Sequence, residues 1–118
     1  MTGYYTKPAP PFMPSFTTVS IAATTSATVP TVAFSTTAPF SAVMVTNEGT
    51  TTAMVNFGTD NTVTASATVG FPVLGGTRMI VRMPLTSADT PTQKYTTAAA
   101  TMISGSATIR FSNGDGGY

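Results

Sequence analysis

Phe40-Ser-Ala-Val-Met-Val-Thr-Asn-Glu-Gly-Thr-Thr-Thr-Ala-Met-Val-Asn-Phe57 is the stretch whose reading decides the fold. Val43 and Val45 share one face of the first half, and Ala53, Val55 and Phe57 share one face of the second. A period of two belongs to a strand with one side buried. Asn47-Glu-Gly49 lies between the halves, and Asn and Gly tolerate the positive φ of a tight turn. The segment therefore predicts two strands joined as a β-hairpin.

The same grammar extends both ways. Gly58-Thr-Asp-Asn61 predicts a second turn, and Val63, Ala65, Ala67 and Val69 continue the alternation as a further strand. Phe71-Pro-Val-Leu-Gly-Gly76 reads as a loop. Residues 77–83 read as a strong strand stopped by Pro84, with Thr77, Met79, Val81 and Met83 on one face and Arg78, Ile80 and Arg82 on the other. A polar loop with Asp89 and Pro91 follows. Residues 94–103 and 106–112 then predict a closing hairpin around Ser104-Gly105, with Ala107, Ile109 and Phe111 facing inward. Upstream, residues 17–37 carry Val19, Ile21 and Ala23, then Val29, Val32 and Phe34, interrupted by Pro30. They predict one or two short strands, at least one on a sheet edge. Leucine occurs only at positions 74 and 85 and glutamate only at 48, whereas Val, Thr, Ile, Phe and Tyr recur. This balance favours strands over helices. The expectation is an all-β, single-domain β-sandwich or jelly roll of about seven to eight antiparallel strands.

The two ends break the pattern. Tyr4, Tyr5, Phe12, Met13 and Phe16 are interleaved with Pro8, Pro10, Pro11 and Pro14. Proline fixes φ and removes an amide donor, so residues 1–16 predict an extended, polyproline-like arm. A solvated linker would not need those aromatics. The arm is expected to lie along a partner, with Tyr4, Tyr5, Pro8, Pro10, Pro11, Phe12, Pro14 and Phe16 as contact residues. Residues 17–112 form the expected sandwich, and 113–118 a glycine-rich tail without strand character.

Composition bounds the chemistry. The 118 residues include five basic and four acidic side chains, no histidine and no cysteine. A free soluble domain carries about a quarter charged residues, so this chain reads as one whose surface is covered in an assembly. The cations Lys7, Arg78, Arg82, Lys94 and Arg110 are scattered along the sequence and the net charge is +1, which argues against nucleic acid as partner. No apolar run approaches the ~20 residues of a membrane helix. The N-terminus leads into prolines rather than an apolar stretch, so no secretory signal is expected and the chain is expected to be made in a cytoplasm.

Catalysis by a hydroxyl needs a base beside it, and the usual base, histidine, is missing. Paired carboxylates would have to come from Glu48, Asp60, Asp89 and Asp115, all in expected turns or loops, where they are ordinary turn residues. Asn113-Gly-Asp-Gly-Gly117 lacks the ligand series and closing glutamate of a calcium loop, and no glycine pair precedes a phosphate-binding lysine. No catalytic, metal, cofactor or small-molecule site is expected. Arg78 and Arg82 share a strand face about 13 Å apart with Ile80 between them. One reading is a solvated face or an intrachain contact. The other is a pair of ionic contacts to an acidic partner that sets register more than affinity.

The segments Val43-Met-Val-Thr-Asn-Glu-Gly-Thr50, Ala53-Met-Val-Asn-Phe-Gly58 and Ser104-Gly-Ser-Ala-Thr-Ile-Arg-Phe111 together resemble a family of small tailed-bacteriophage virion proteins, over approximately residues 40–117. The resemblance implies a virion structural component, most directly a capsid decoration (cement) protein with a jelly-roll-like sandwich. It further implies a homotrimer seated over junctions of the major capsid protein on the outer surface of the head. The proline-rich arm is outside that pattern. A neck, tail or fibre-base component is an alternative place in the same particle. A small glycan-binding module, with Tyr4, Tyr5, Tyr95 and Tyr118 as stacking platforms, is an alternative of another class. The lack of tryptophan and the shortage of Asp, Asn and Glu beside those aromatics count against it.

Overall fold

Alternating Val, Ile, Ala and Phe positions need a second apolar surface to bury them, and the chain supplies it by folding into two sheets packed face to face. The computed structural model describes residues 11–34, 40–84 and 93–117. Among these lie eight strands: β1 (Met13–Ala23), β2 (Thr31–Ala33), β3 (Ala42–Asn47), β4 (Ala53–Gly58), β5 (Phe71–Val73), β6 (Arg78–Arg82), β7 (Thr97–Met102) and β8 (Ala107–Asp115). One sheet has the order β1-β8-β3-β6 and the other β2-β7-β4-β5. Every pairing is antiparallel. The architecture is an all-β sandwich, as the alternation implied.

The core lies between the sheets. Ile21, Ala23, Val43, Val45, Ile109 and Phe111 come from the first sheet, and Ala53, Val55, Val73, Ala98, Ala100 and Met102 from the second. Phe111 meets Phe34 and Phe57 edge to face, with centroids 6.0 and 6.1 Å apart. Phe57 in turn stacks on Phe71 at 5.8 Å. Such ring pairs add about 0.5–1.5 kcal/mol each beyond their burial. The inward faces expected for Val19/Ile21/Ala23 and for Ala107/Ile109/Phe111 are those observed.

The connectivity differs from the sequence reading in an instructive way. β3 and β4 do not pair; they lie in opposite sheets, so residues 47–53 cross between layers rather than closing a hairpin. Asn47 holds this crossing. Its buried Nδ2 donates to the carbonyls of Thr51 and Val73, both at 2.9 Å, and its Oδ1 accepts from the amide of Gly49 at 2.9 Å. Gly49 is needed for space: a Cβ there would lie 2.5 Å from that of Ala107. β7 and β8 likewise cross between sheets, with Gly105 at φ 72° in the connection. Alternation reveals which residues face inward but is blind to which sheet a strand joins.

Three further expectations are corrected. Residues 63–69 are not a strand: they hold one isolated bridge, Ser66 to Val69, and lie as a flap over the second sheet. Phe71–Val73 is not a loop but β5, a margin strand that tolerates Pro72 because one of its sides needs no partner. At the ends, β1 already begins at Met13, where Met13 and Pro14 pair with Asp115 and Gly114. The arm boundary at 16 and the tail boundary at 113 therefore both fall inside paired strands. β1 accommodates Pro14 as a margin strand, with its register shifted between Pro14 and Thr18.

Candidate interaction surfaces

The outer faces of the two sheets are treated differently by the chain. In the second sheet, β7 is buried along all six residues. Its inward Ala98 and Ala100 join the core, and its outward Ala99 is covered by Met54, Ala65, Val63 and Val29. The flap is tied down by Asn56 Nδ2, which donates to the carbonyl of Thr64 at 2.9 Å. It presses so close that a Cβ at Gly58 would lie 2.5 Å from Val63 Cβ. On the neighbouring side, Thr101 Oγ1 donates to the carbonyl of Thr24 at 3.0 Å. An open groove of about 310 Å³ remains between residues 25–29 and 65–67, floored by Thr101, Met102 and Ile103. Its lining is hydroxyl and hydrocarbon, with no titratable group to move a proton.

The outer face of the first sheet carries no comparable flap among the described residues. Register sets its rows. Thr46 of β3 lies between Arg78 of β6 and Arg110 of β8; Met44 lies between Ile80 and Ser112; Ala42 lies between Arg82 and Gly114. With strands about 4.8 Å apart, Arg78 and Arg110 stand roughly 10 Å from each other across β3. Cations that look scattered along the chain are thus gathered: three of the five lie on one sheet face. Arg110 Nε pairs with Glu48 Oε1 at 2.7 Å, both side chains about half exposed. Arg78 is exposed. Thr18 and Ser112 hydroxyls meet at 3.0 Å on the same face.

Ile80, expected at the centre of a partner-binding face, has an intrachain role. It is only partly exposed, and the backbone at Gly117 (φ 84°) lies against it and against Phe12. A Cβ at position 117 would come within 2.8 Å of Ile80 Cδ1 and 2.9 Å of Phe12 Cβ. Phe12 also lies across Gly114, where a Cβ would be 2.6 Å from its ring. Of the expected arm contacts, Phe12 therefore packs on its own sandwich, and Pro11 and Pro14 are exposed. Phe16 belongs to β1 by its backbone. Tyr4, Tyr5, Pro8 and Pro10 lie outside the described residues. So do Tyr118 and Asp89, while Tyr95 is half-buried against the core with Lys94 Nζ 5.5 Å from its ring centroid.

Apart from Glu48, which pairs with Arg110, the described carboxylates accept from nearby amides and hydroxyls. Asp115 stands at the end of β8 rather than in a free tail, and its Oδ1 accepts from the amide and hydroxyl of Ser41 at 3.0 and 2.9 Å. Asp60 accepts from the hydroxyl and amide of Thr62, and these two bonds, the hydroxyl first, hold its carboxyl below the usual carboxylate range. Among the described residues no three His, Cys, Asp or Glu side chains converge to hold a metal ion. No family model, curated protein or solved structure matches the chain.

Proposed function

We propose that this chain is a non-enzymatic structural subunit of a virus particle: a decoration protein that binds the outer surface of a tailed-phage head and bridges neighbouring copies of the major capsid protein. The observation that carries the reading is the distribution of surface polarity. One sheet is covered by the chain's own loops, and the other presents Thr18, Thr46 and Ser112 beside the partly exposed Met44 and Ile80, with three arginines on the same face. A hydroxyl-lined face costs far less to desolvate than one of carboxylates and ammonium groups. A symmetric oligomer, here a homotrimer, then repeats a modest patch until the summed attachment is stable.

The strand order supports the reading as well. β1 pairs with β8, β2 with β7, β3 with β6 and β4 with β5. We read these nested pairs, folded so that successive strands alternate between sheets except at the central β4–β5 pair, as a jelly roll, a plan shared by many capsid-associated domains. The fold class by itself carries no function; the surface does. The test is to add the purified chain to heads that lack it. The reading predicts saturable co-sedimentation and a higher temperature of DNA release. Heads that neither retain the chain nor gain stability contradict it.

A further inference from the structure

β6 forms one margin of the first sheet, and no described strand pairs with its outer side. The register shows which backbone groups that leaves over. The amide of Met83 donates to the carbonyl of Ser41 at 2.7 Å, and the amide of Asn47 to the carbonyl of Thr77 at 2.9 Å. Antiparallel pairs alternate between bonded and non-bonded, so residues 77, 79, 81 and 83 spend their groups on β3. Arg78 and Ile80 turn their N–H and C=O groups away, toward the open side.

The other margin strands are poor templates. β2 and β5 are three residues long, with Pro30 before one and Pro72 within the other, and β1 is irregular between Pro14 and Thr18, while its regular stretch from Thr18 to Ala23 carries no charge to set a partner's register. β6 has five residues with neither proline nor bulge, the kind of edge that proteins protect with charge. Its charges also reject its own kind. Antiparallel pairing of two β6 strands about Ile80 sets Arg78 of each against Arg82 of the other, and like charges directly opposite are destabilising. A strand that brings a carboxylate opposite Arg78 meets no such repulsion.

We propose that the open side of β6 is a docking edge for an extended acidic segment of the shell partner, which adds as a fifth strand. Its backbone bonds go to Arg78 and Ile80, and a carboxylate beside Arg78 sets the register. Strand addition needs no groove and no apolar knob, consistent with Ile80 being already occupied by Gly117 and Phe12. Only the identity of the segment as part of a shell rests on the function proposed above; the edge chemistry does not.

The experiment uses the full chain and a capped, extended threonine–valine peptide carrying one central glutamate, with a lysine counterpart. Solvent exchange is followed by NMR at individual amides. The glutamate peptide is expected to slow exchange at Arg78 and Ile80, binding about fivefold more tightly than the lysine peptide. Arg78→Glu, at an exposed position, is expected to reverse that preference. No protection at Arg78 and Ile80, protection confined to β1, or equal binding of the two peptides overturns the proposal. Because no shell is present, failure here leaves shell binding intact as a question, and failure of shell binding leaves this result standing.

Discussion

Replacing Asn47 by alanine removes three hydrogen bonds from the point where the chain passes from one sheet to the other. The side chain is 1% exposed, and two of its partners are backbone carbonyls, those of Thr51 and Val73. The third is the amide of Gly49. Each bond contributes about 1 kcal/mol net, and stranding the buried carbonyl of Val73 adds to the loss. The expected destabilisation is about 3 kcal/mol. With an unfolding entropy of about 2.1 cal/mol/K per residue, this lowers Tm by roughly 12 °C. A domain of this size holds about 5–15 kcal/mol, so Asn47→Ala stays folded at room temperature and the loss is readable by urea titration with an unchanged slope. Asn56→Ala is the internal control. It removes one exposed bond to Thr64 and a local bond to the amide of Phe57, and is expected to cost less than about 1 kcal/mol. Asn47→Asp keeps the acceptor but replaces the donor by a carboxylate oxygen facing two carbonyl oxygens, a buried charge without a donor on that side. It should be worse than alanine at neutral pH and partly recover in acid. If Asn47→Ala costs no more than Asn56→Ala, the crossing is not held by this side chain and the reasoning fails.

Gly49→Ala should cost about 1–3 kcal/mol by forcing a Cβ against Ala107, measured as a shift in the urea midpoint. Phe111→Ala, which opens the core beneath Phe34 and Phe57, should cost about 3–5 kcal/mol and leave the chain near its unfolding threshold by calorimetry. Removing the chain through residue 16 should lower Tm relative to removing it through residue 11, because the larger deletion also takes Phe12 and the start of β1. The Asp60 carboxyl should titrate below the usual range by NMR, and Thr62→Val should raise it by removing the hydroxyl bond. With its folded value depressed, whatever stability Asp60 gives is present above the ordinary carboxylate range and is lost as pH falls through the folded value.

Much of the sandwich could be read from the residues. Inward positions on β1, β3, β4 and β8 follow from alternation, since burial of one face acts on every second side chain. Partnering could not be read the same way. Asn47-Glu-Gly49 looks like a hairpin turn, but its asparagine and glycine serve a crossing, one by bonding inward and the other by making room for Ala107. The alternation at residues 63–69 has a partner only in its first half: Val63 and Ala65 pack on Met54 and Ala99, because the back of a sheet also rewards apolar side chains, while Ala67 and Val69 are exposed. Phe71–Val73 was hidden by Pro72, whose missing amide is harmless at a margin. The Arg78/Arg82 face was legible from spacing within one strand. Arg110 on the same face depends on β3 lying between β6 and β8, a fact of topology that no local pattern carries. The covering of Ile80 by Gly117 and Phe12 was equally invisible, since it brings the two ends of the chain together.

The function proposed above requires this sparsely charged surface to be covered on a shell, through many copies of one weak patch. Quantitative mass spectrometry of purified particles measures this directly. The account predicts the chain in the particle at a copy number on the scale of the shell subunits themselves, and lost from the head together with its stability when stripped. A chain absent from particles, or present only in the handful of copies that a neck or tail ring would hold, contradicts it.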